Sequence, residues 1–185
     1  MVKETYGSLL TPCCGDVSSS GHDHGKRLNY SEQDMLFASD AEMPLLGCGN
    51  PVVEAGITPG ETVVDLGCGA GFDAFLSAKK VTESGRVIGI DMTPEMIEKA
   101  KSNARRQGAE NVEFRLGEIE ELPVSDGVAD LVMSNCVINL STDKRAVFRE
   151  IHRILKPGGR ISISDVLRSG EMPKEIIDNP AAYTG

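Results

Sequence analysis

The chain has 185 residues, with 28 acidic against 19 basic side chains and a formal net charge of -9. That length supports one domain with a single core, and the acidic balance repels a phosphate backbone. No apolar run approaches the roughly 18 residues that a membrane span needs. Nucleic acid and membrane are therefore excluded as expected partners.

The N-terminus, MVKETYGSLLTPCCG, lacks the apolar stretch of a secretory signal, so the chain is expected in the cytoplasm with its thiols reduced. Five cysteines, an odd number, cannot close a complete disulfide framework. Residues 1 to about 30 carry Ser18-Ser19-Ser20-Gly21 and little apolar periodicity, which predicts a loop or mobile arm. Cys13, Cys14, His22 and His24 lie in this arm in an order that matches no common zinc spacing, so a solvated loop is the simpler reading. The adjacent Cys13 and Cys14 are poorly spaced for one ion; a relay thiol and no function compete evenly. A short helix is expected over Ser31–Phe37, then a loop through Leu45–Pro51. Tyr30 reads equally as a loop anchor or a cofactor contact.

After Pro59-Gly60 strand and helix patterns alternate. Strands are predicted at Thr62–Leu66, Val87–Ile90, Val112–Arg115, Ala129–Ser134 and Arg160–Asp165. A helix opens at Thr93-Pro94, carries Met96, Ile97, Ala100 and Ala104 on one face, and stops at Gly108. Another follows Ser141-Thr142, with Val147, Ile151, Ile154 and Leu155 as its apolar stripe, before Lys156-Pro157-Gly158-Gly159 ends it. This alternation predicts an α/β fold, a mostly parallel sheet with helices on both faces and ligands at the carboxyl ends of the strands.

The strongest chemical signal is Val63-Val64-Asp65-Leu66-Gly67-Cys68-Gly69-Ala70-Gly71, a strand running into three alternating glycines. Without Cβ atoms, Gly67, Gly69 and Gly71 let the backbone approach a nucleotide-like ligand closely. Asp91 ends the second strand twenty residues after Gly71, where a carboxylate takes both ribose hydroxyls. The stretch Gly69 to Ala74 also fits a nicotinamide loop. Asp65 decides between them: it suits the ammonium of a methionine moiety and is unwelcome beside a pyrophosphate. S-adenosylmethionine is the expected cofactor. Cys68, inside the loop, reads as a small packing residue.

VVDLGCGAG, GIDMTPEM, LGEIEELP, SNCVINLS and LKPGGRISISD resemble the successive motifs of class I methyltransferases. More closely, GCGNP at Gly47–Pro51 together with SNCVINLS at Ser134–Ser141 resembles the arsenite methyltransferase family, over about residues 30 to 170. The resemblance implies a Rossmann-like fold with adenine beside Met92, Glu118 and Ile119 near its amino edge, and Asn135-Cys136 facing the methyl group. It implies Cys48 and Cys136 as catalytic thiols and arsenic ligands, arsenite or methylarsenite as substrate, and a thiol reductant as partner. It also implies a sheet of seven strands. The five strands predicted here leave the C-terminal hairpin, and a further family cysteine, unaccounted for within Gly185. The expected organisation is an arm and substrate loop over 1–59, the cofactor-binding core over 60–170 and a tail over 171–185. An uncovered edge strand makes self-association an expectation. Two rival readings keep the fold: a small organic carbon or oxygen acceptor, and a thiol-based metalloid binder without turnover.

Overall fold

The structure, a computed structural model, describes residues 25–41, 43–167 and 169–170. The expectations for Cys13, Cys14, His22, His24 and the C-terminal tail lie outside these residues. Helix α1 spans Glu32–Asp40, three residues beyond the predicted end, and its start is a capping box: the Ser31 hydroxyl accepts the Asp34 amide while Asp34 accepts the Ser31 amide. A second short helix, α2 (Pro51–Glu54), was not expected. Its signal is present in the sequence, since Asn50 caps the Val53 amide and Pro51 occupies the first helical position.

The remaining strands and helices alternate as expected, with a 3-10 turn (Ile138–Leu140) that was not foreseen: β1 (Thr62–Leu66), α3 (Phe72–Val81), β2 (Arg86–Asp91), α4 (Pro94–Gln107), β3 (Val112–Leu116), β4 (Ala129–Asn135), then that turn, α5 (Lys144–Ile154) and β5 (Leu155–Ser164). The strands pair in parallel in the order β3-β2-β1-β4-β5. Chain order reverses between β1 and β4, and it is at such a switch point that a doubly wound sheet opens a crevice beyond its strand ends.

Period-two alternation sorts the central strands onto two cores. Val63, Val87, Leu131 and Met133 pack under α3 and α4, whereas Val64, Leu66, Ile88, Ile90 and Val132 pack under Val147, Ile151 and Ile154 of α5. Each such fully buried aliphatic contributes about 1.5–3 kcal/mol relative to exposure. The arm adds to the first core through Tyr30, Met35, Ala38 and Val52.

One boundary differs substantially. The segment Lys156-Pro157-Gly158-Gly159 does not separate helix from strand; β5 already begins at Leu155, which pairs with Ala129. Pairing resumes at Arg160 opposite Leu131, so the four intervening residues bulge out, with Gly158 at a left-handed φ of 82°. Pro and Gly mark a break in pairing lodged inside the strand. Among the described residues β5 forms one edge of the sheet.

Candidate active site

The glycine turn after β1 is held from three sides. The backbone amides of Gly67 and Cys68 donate to the Ile90 carbonyl, the side-chain Nδ2 of Asn103 on α4 donates to the Ala70 carbonyl at 3.2 Å, and Asp91 Oδ2 accepts the Gly69 backbone amide at 3.0 Å. Gly69 has a φ of 51°, and a Cβ built there would meet nothing within 4 Å. Its backbone therefore faces open space. Gly71 serves differently, because a Cβ there would strike Phe75 and Phe114.

That open space is a cavity of about 430 Å³ at the switch point, lined among others by Asp65, Gly69, Asp91, Met92, Glu118 and Ile119. Gly67, Asn135 and Cys136 also line it, whereas Gly71 and Cys48 do not. Its floor is acidic. Asp65 is 3% exposed and its Oδ2 has no hydrogen-bond partner. Burial, then the nearby Asp73 and Asp91 carboxylates, raise its pKa well above the ordinary range. A buried, unpartnered carboxylate oxygen at a cavity wall suits a cationic group, while Met92 and Ile119 suit an apolar ring. Asp91 is already oriented, its Oδ1 accepting the Thr93 amide at 2.8 Å. Cys68 is buried, and burial followed by the Asp65 and Asp91 charges raises its thiol pKa, which keeps it protonated and unreactive.

Also at the cavity wall, the end of β4 meets the loop before α2. Cys136 is half-buried, with φ at 61°, and its amide donates to the Ser164 carbonyl of β5 at 2.7 Å. Cys48 is exposed and is brought near it by Asn135, the neighbour of Cys136, whose Oδ1 accepts the Cys48 amide at 3.0 Å. Burial first, then the neighbouring Cys48 thiol, push the Cys136 thiol up to about 12. Asn139 bonds its sulfur at 3.8 Å and is itself fixed by Asp165 at 2.7 Å.

The Cys48 turn is fastened by Asn135. Its Oδ1 accepts the Cys48 and Gly49 amides at 3.0 and 3.2 Å, and its Nδ2 donates to the Gly49 carbonyl at 2.9 Å. Gly47 passes so near that a Cβ would come within 2.2–2.5 Å of the carboxamide. Tyr30 anchors the same turn and lines the cavity as well. Sequence reasoning passed over Asp73, which accepts both Tyr30 and Asn135. Its position in the glycine-loop pattern disguised it as an incidental helix residue.

A family model described as a methyltransferase domain matches residues 57–185. The chain is 46% identical to an arsenite methyltransferase of Halobacterium salinarum, in an alignment covering 100% of this chain and 51% of that protein. It is 42% identical to an arsenite methyltransferase of Aquipseudomonas alcaligenes, over 74% of this chain and 41% of that one. Among solved structures, an arsenic (III) S-adenosylmethionine methyltransferase from Chlamydomonas reinhardtii superposes with a TM-score of 0.69 at 44% identity, covering 77% of this chain and 50% of that chain. The chain thus spans about half the length of the curated relatives it matches. With the parallel sheet, the glycine turn and the cavity at the switch point in agreement, the chain belongs to the methyltransferase domain family.

Proposed function

We propose that this chain binds S-adenosylmethionine in the cavity at the switch point and methylates trivalent arsenic held by Cys48 and Cys136. The observation that carries the reading is that Asn135, at the end of β4 next to Cys136, holds the Cys48 turn by its backbone beside a cavity lined by Cys136 and the buried Asp65, so that two thiols distant in sequence come together. Soft thiolates suit a soft, thiophilic centre.

The residues present fit the cofactor. The free Asp65 oxygen would take the ammonium, Gly69 leaves room for close backbone approach, Asp91 would accept the ribose hydroxyls, and Met92, Glu118 and Ile119 would flank the adenine. When bound, S-adenosylmethionine supplies a methyl group on a positively charged sulfur. Arsenite, as its uncharged trihydroxide, exchanges two hydroxyls for the two sulfurs; each thiol proton leaves with a hydroxyl as water. The arsenic lone pair would form the arsenic–carbon bond as the methyl–sulfur bond breaks with its electron pair left on sulfur. This gives S-adenosylhomocysteine and raises arsenic from the trivalent to the pentavalent state, and the thiol reductant would return it to the trivalent one. The acceptor has no proton to lose and needs no general base. The chain's task reduces to alignment, which in favourable cases supplies roughly 7–11 kcal/mol. Arsenite or methylarsenite is the substrate, a thiol reductant the partner and the reducing cytoplasm the setting.

Titration calorimetry with arsenite on wild type, Cys48→Ser and Cys136→Ser tests this. Each variant should bind at least tenfold more weakly. If both bind like wild type while folded, the acceptor is an organic molecule. Arsenite binding with no methylated product in the presence of S-adenosylmethionine and dithiol would instead identify a binder without turnover.

A further inference from the structure

Asp73 is the second residue of α3 and is 9% exposed. An acidic residue in a first helical turn is ordinarily explained by the positive end of the helix. That explanation fits an exposed side chain; it does not account for a buried carboxylate with both oxygens directed away to specific partners. Here Oδ1 accepts the Tyr30 hydroxyl at 2.7 Å and Oδ2 accepts the Asn135 amide at 2.9 Å.

Of those two donors Asn135 bonds the Cys48 turn directly, and Tyr30 packs its hydroxyl against the Gly49 carbonyl at 3.0 Å. Tyr30 has one proton, and its shorter contact is with Asp73 rather than with the Gly49 carbonyl at 3.0 Å. A bond to a carboxylate is the stronger one, so the proton lies toward Asp73. Asn135 has two N–H donors and an oxygen with two acceptor sites. With its N–H groups directed at Asp73 and the Gly49 carbonyl, both at 2.9 Å, and more distantly at the Tyr30 oxygen at 3.2 Å, its own oxygen must face the Cys48 and Gly49 amides. Asp73 therefore reinforces the direction of the carboxamide, since a flip would turn the oxygen toward its carboxylate as well as set N–H against N–H at the turn.

We infer that Asp73 is a positioning residue: acting through Asn135, with Tyr30 bracing both, it steadies the turn that places the Cys48 thiol beside that of Cys136. This deepens the reading that the two thiols hold the acceptor, and it rests on that reading for its functional meaning. Asp73 touches neither sulfur. Its effect is on the spacing of the pair and not on the reactivity of either thiol alone.

Dibromobimane, which fluoresces when it joins two neighbouring thiols, reads that spacing without arsenic, and peptide mapping separates the Cys48–Cys136 bridge from any involving Cys13, Cys14 or Cys68. Asp73→Ala should lower this bridge at least fivefold, while single alkylation of Cys48 by iodoacetamide stays within twofold. Asp73→Asn should restore bridging to within twofold of wild type, because its oxygen can still accept from Asn135. Wild-type bridging in folded Asp73→Ala overturns the inference. Should Asp73→Ala not fold, Tyr30→Phe and Asn135→Ala take the same reading, and unchanged bridging in both overturns it. Failure of wild type to bind arsenite sinks the arsenic reading alone, since bridging is measured independently.

Discussion

Asp91 and Gly69 are joined by a hydrogen bond of 3.0 Å from the glycine amide to Oδ2, which ties the end of β2 to the loop that follows β1. The carboxylate thus builds the cavity wall and also faces into it.

Asp91→Ala removes this bond and the one from Thr93, so the variant should lose stability, by about 1–3 kcal/mol, in urea unfolding. It should also bind S-adenosylmethionine at least tenfold more weakly, since bonds to a charged group are worth about 1.5–3 kcal/mol each. An unaltered dissociation constant in folded Asp91→Ala would remove it from the cofactor site.

Gly47→Ala tests the close approach of the thiol loop to Asn135. The added Cβ must displace the carboxamide or the loop, because it would lie within 2.2–2.5 Å of the Asn135 side chain. Arsenite affinity should fall several-fold in calorimetry, with the thermal midpoint changed by only a few degrees. Wild-type affinity in this variant would mean that the loop has slack at this point.

Much of this was legible in the sequence, and the boundary of legibility is physical. The glycine turn, Asp65 and Asp91 are local signals, written in a strand pattern and in spacing over some thirty residues. The Tyr30–Asp73–Asn135 network is not local: Tyr30 meets Asp73 across 43 positions and Asn135 across 105. No periodicity encodes such contacts; they exist because α3 and the end of β4 converge at the switch point. The pairing of Cys48 with Cys136 was suggested by motif resemblance alone. The bulge in β5 was misread because Pro and Gly mark a break in pairing without saying whether the strand resumes.

Acid should weaken the fold partly through one ion pair. Glu61, just before β1, meets Arg160 of β5 with both oxygens, at 2.6 and 2.8 Å. Hydrogen bonds from Arg160 lower the Glu61 pKa from 4.5 to about 2. A folded pKa below the unfolded one stabilises above pH 4.5, and that contribution disappears as pH falls toward 2. Discounted for the partial exposure of Arg160, it is on the order of 1–2 kcal/mol. Urea unfolding of wild type at pH 6 and pH 3 should differ more than that of Arg160→Leu. Equal differences would assign the acid sensitivity to other carboxylates.

Alkylation of Cys136 should be slow at neutral pH, because the thiolate is the nucleophile and this thiol is pushed up to about 12. Its rate, followed by peptide mapping with iodoacetamide, should still climb about tenfold per pH unit at pH 10. In Cys48→Ser the rise should begin at lower pH, since the neighbouring thiol contributes to the shift after burial. A plateau near pH 9 in wild type would contradict the raised value.

Cys136 has a further property in its backbone. Its φ of 61° lies in the left-handed region, which costs a residue with a Cβ roughly 1–2 kcal/mol and costs glycine almost nothing. The fold on its own account would be served better by glycine at this position, and the thiol occupies it against that preference. Stability and chemistry therefore pull Cys136 in opposite directions. Cys136→Gly should unfold no more readily than wild type, and yet lose arsenite binding altogether. A screen of variants for thermal tolerance alone would accept the replacement and discard the site.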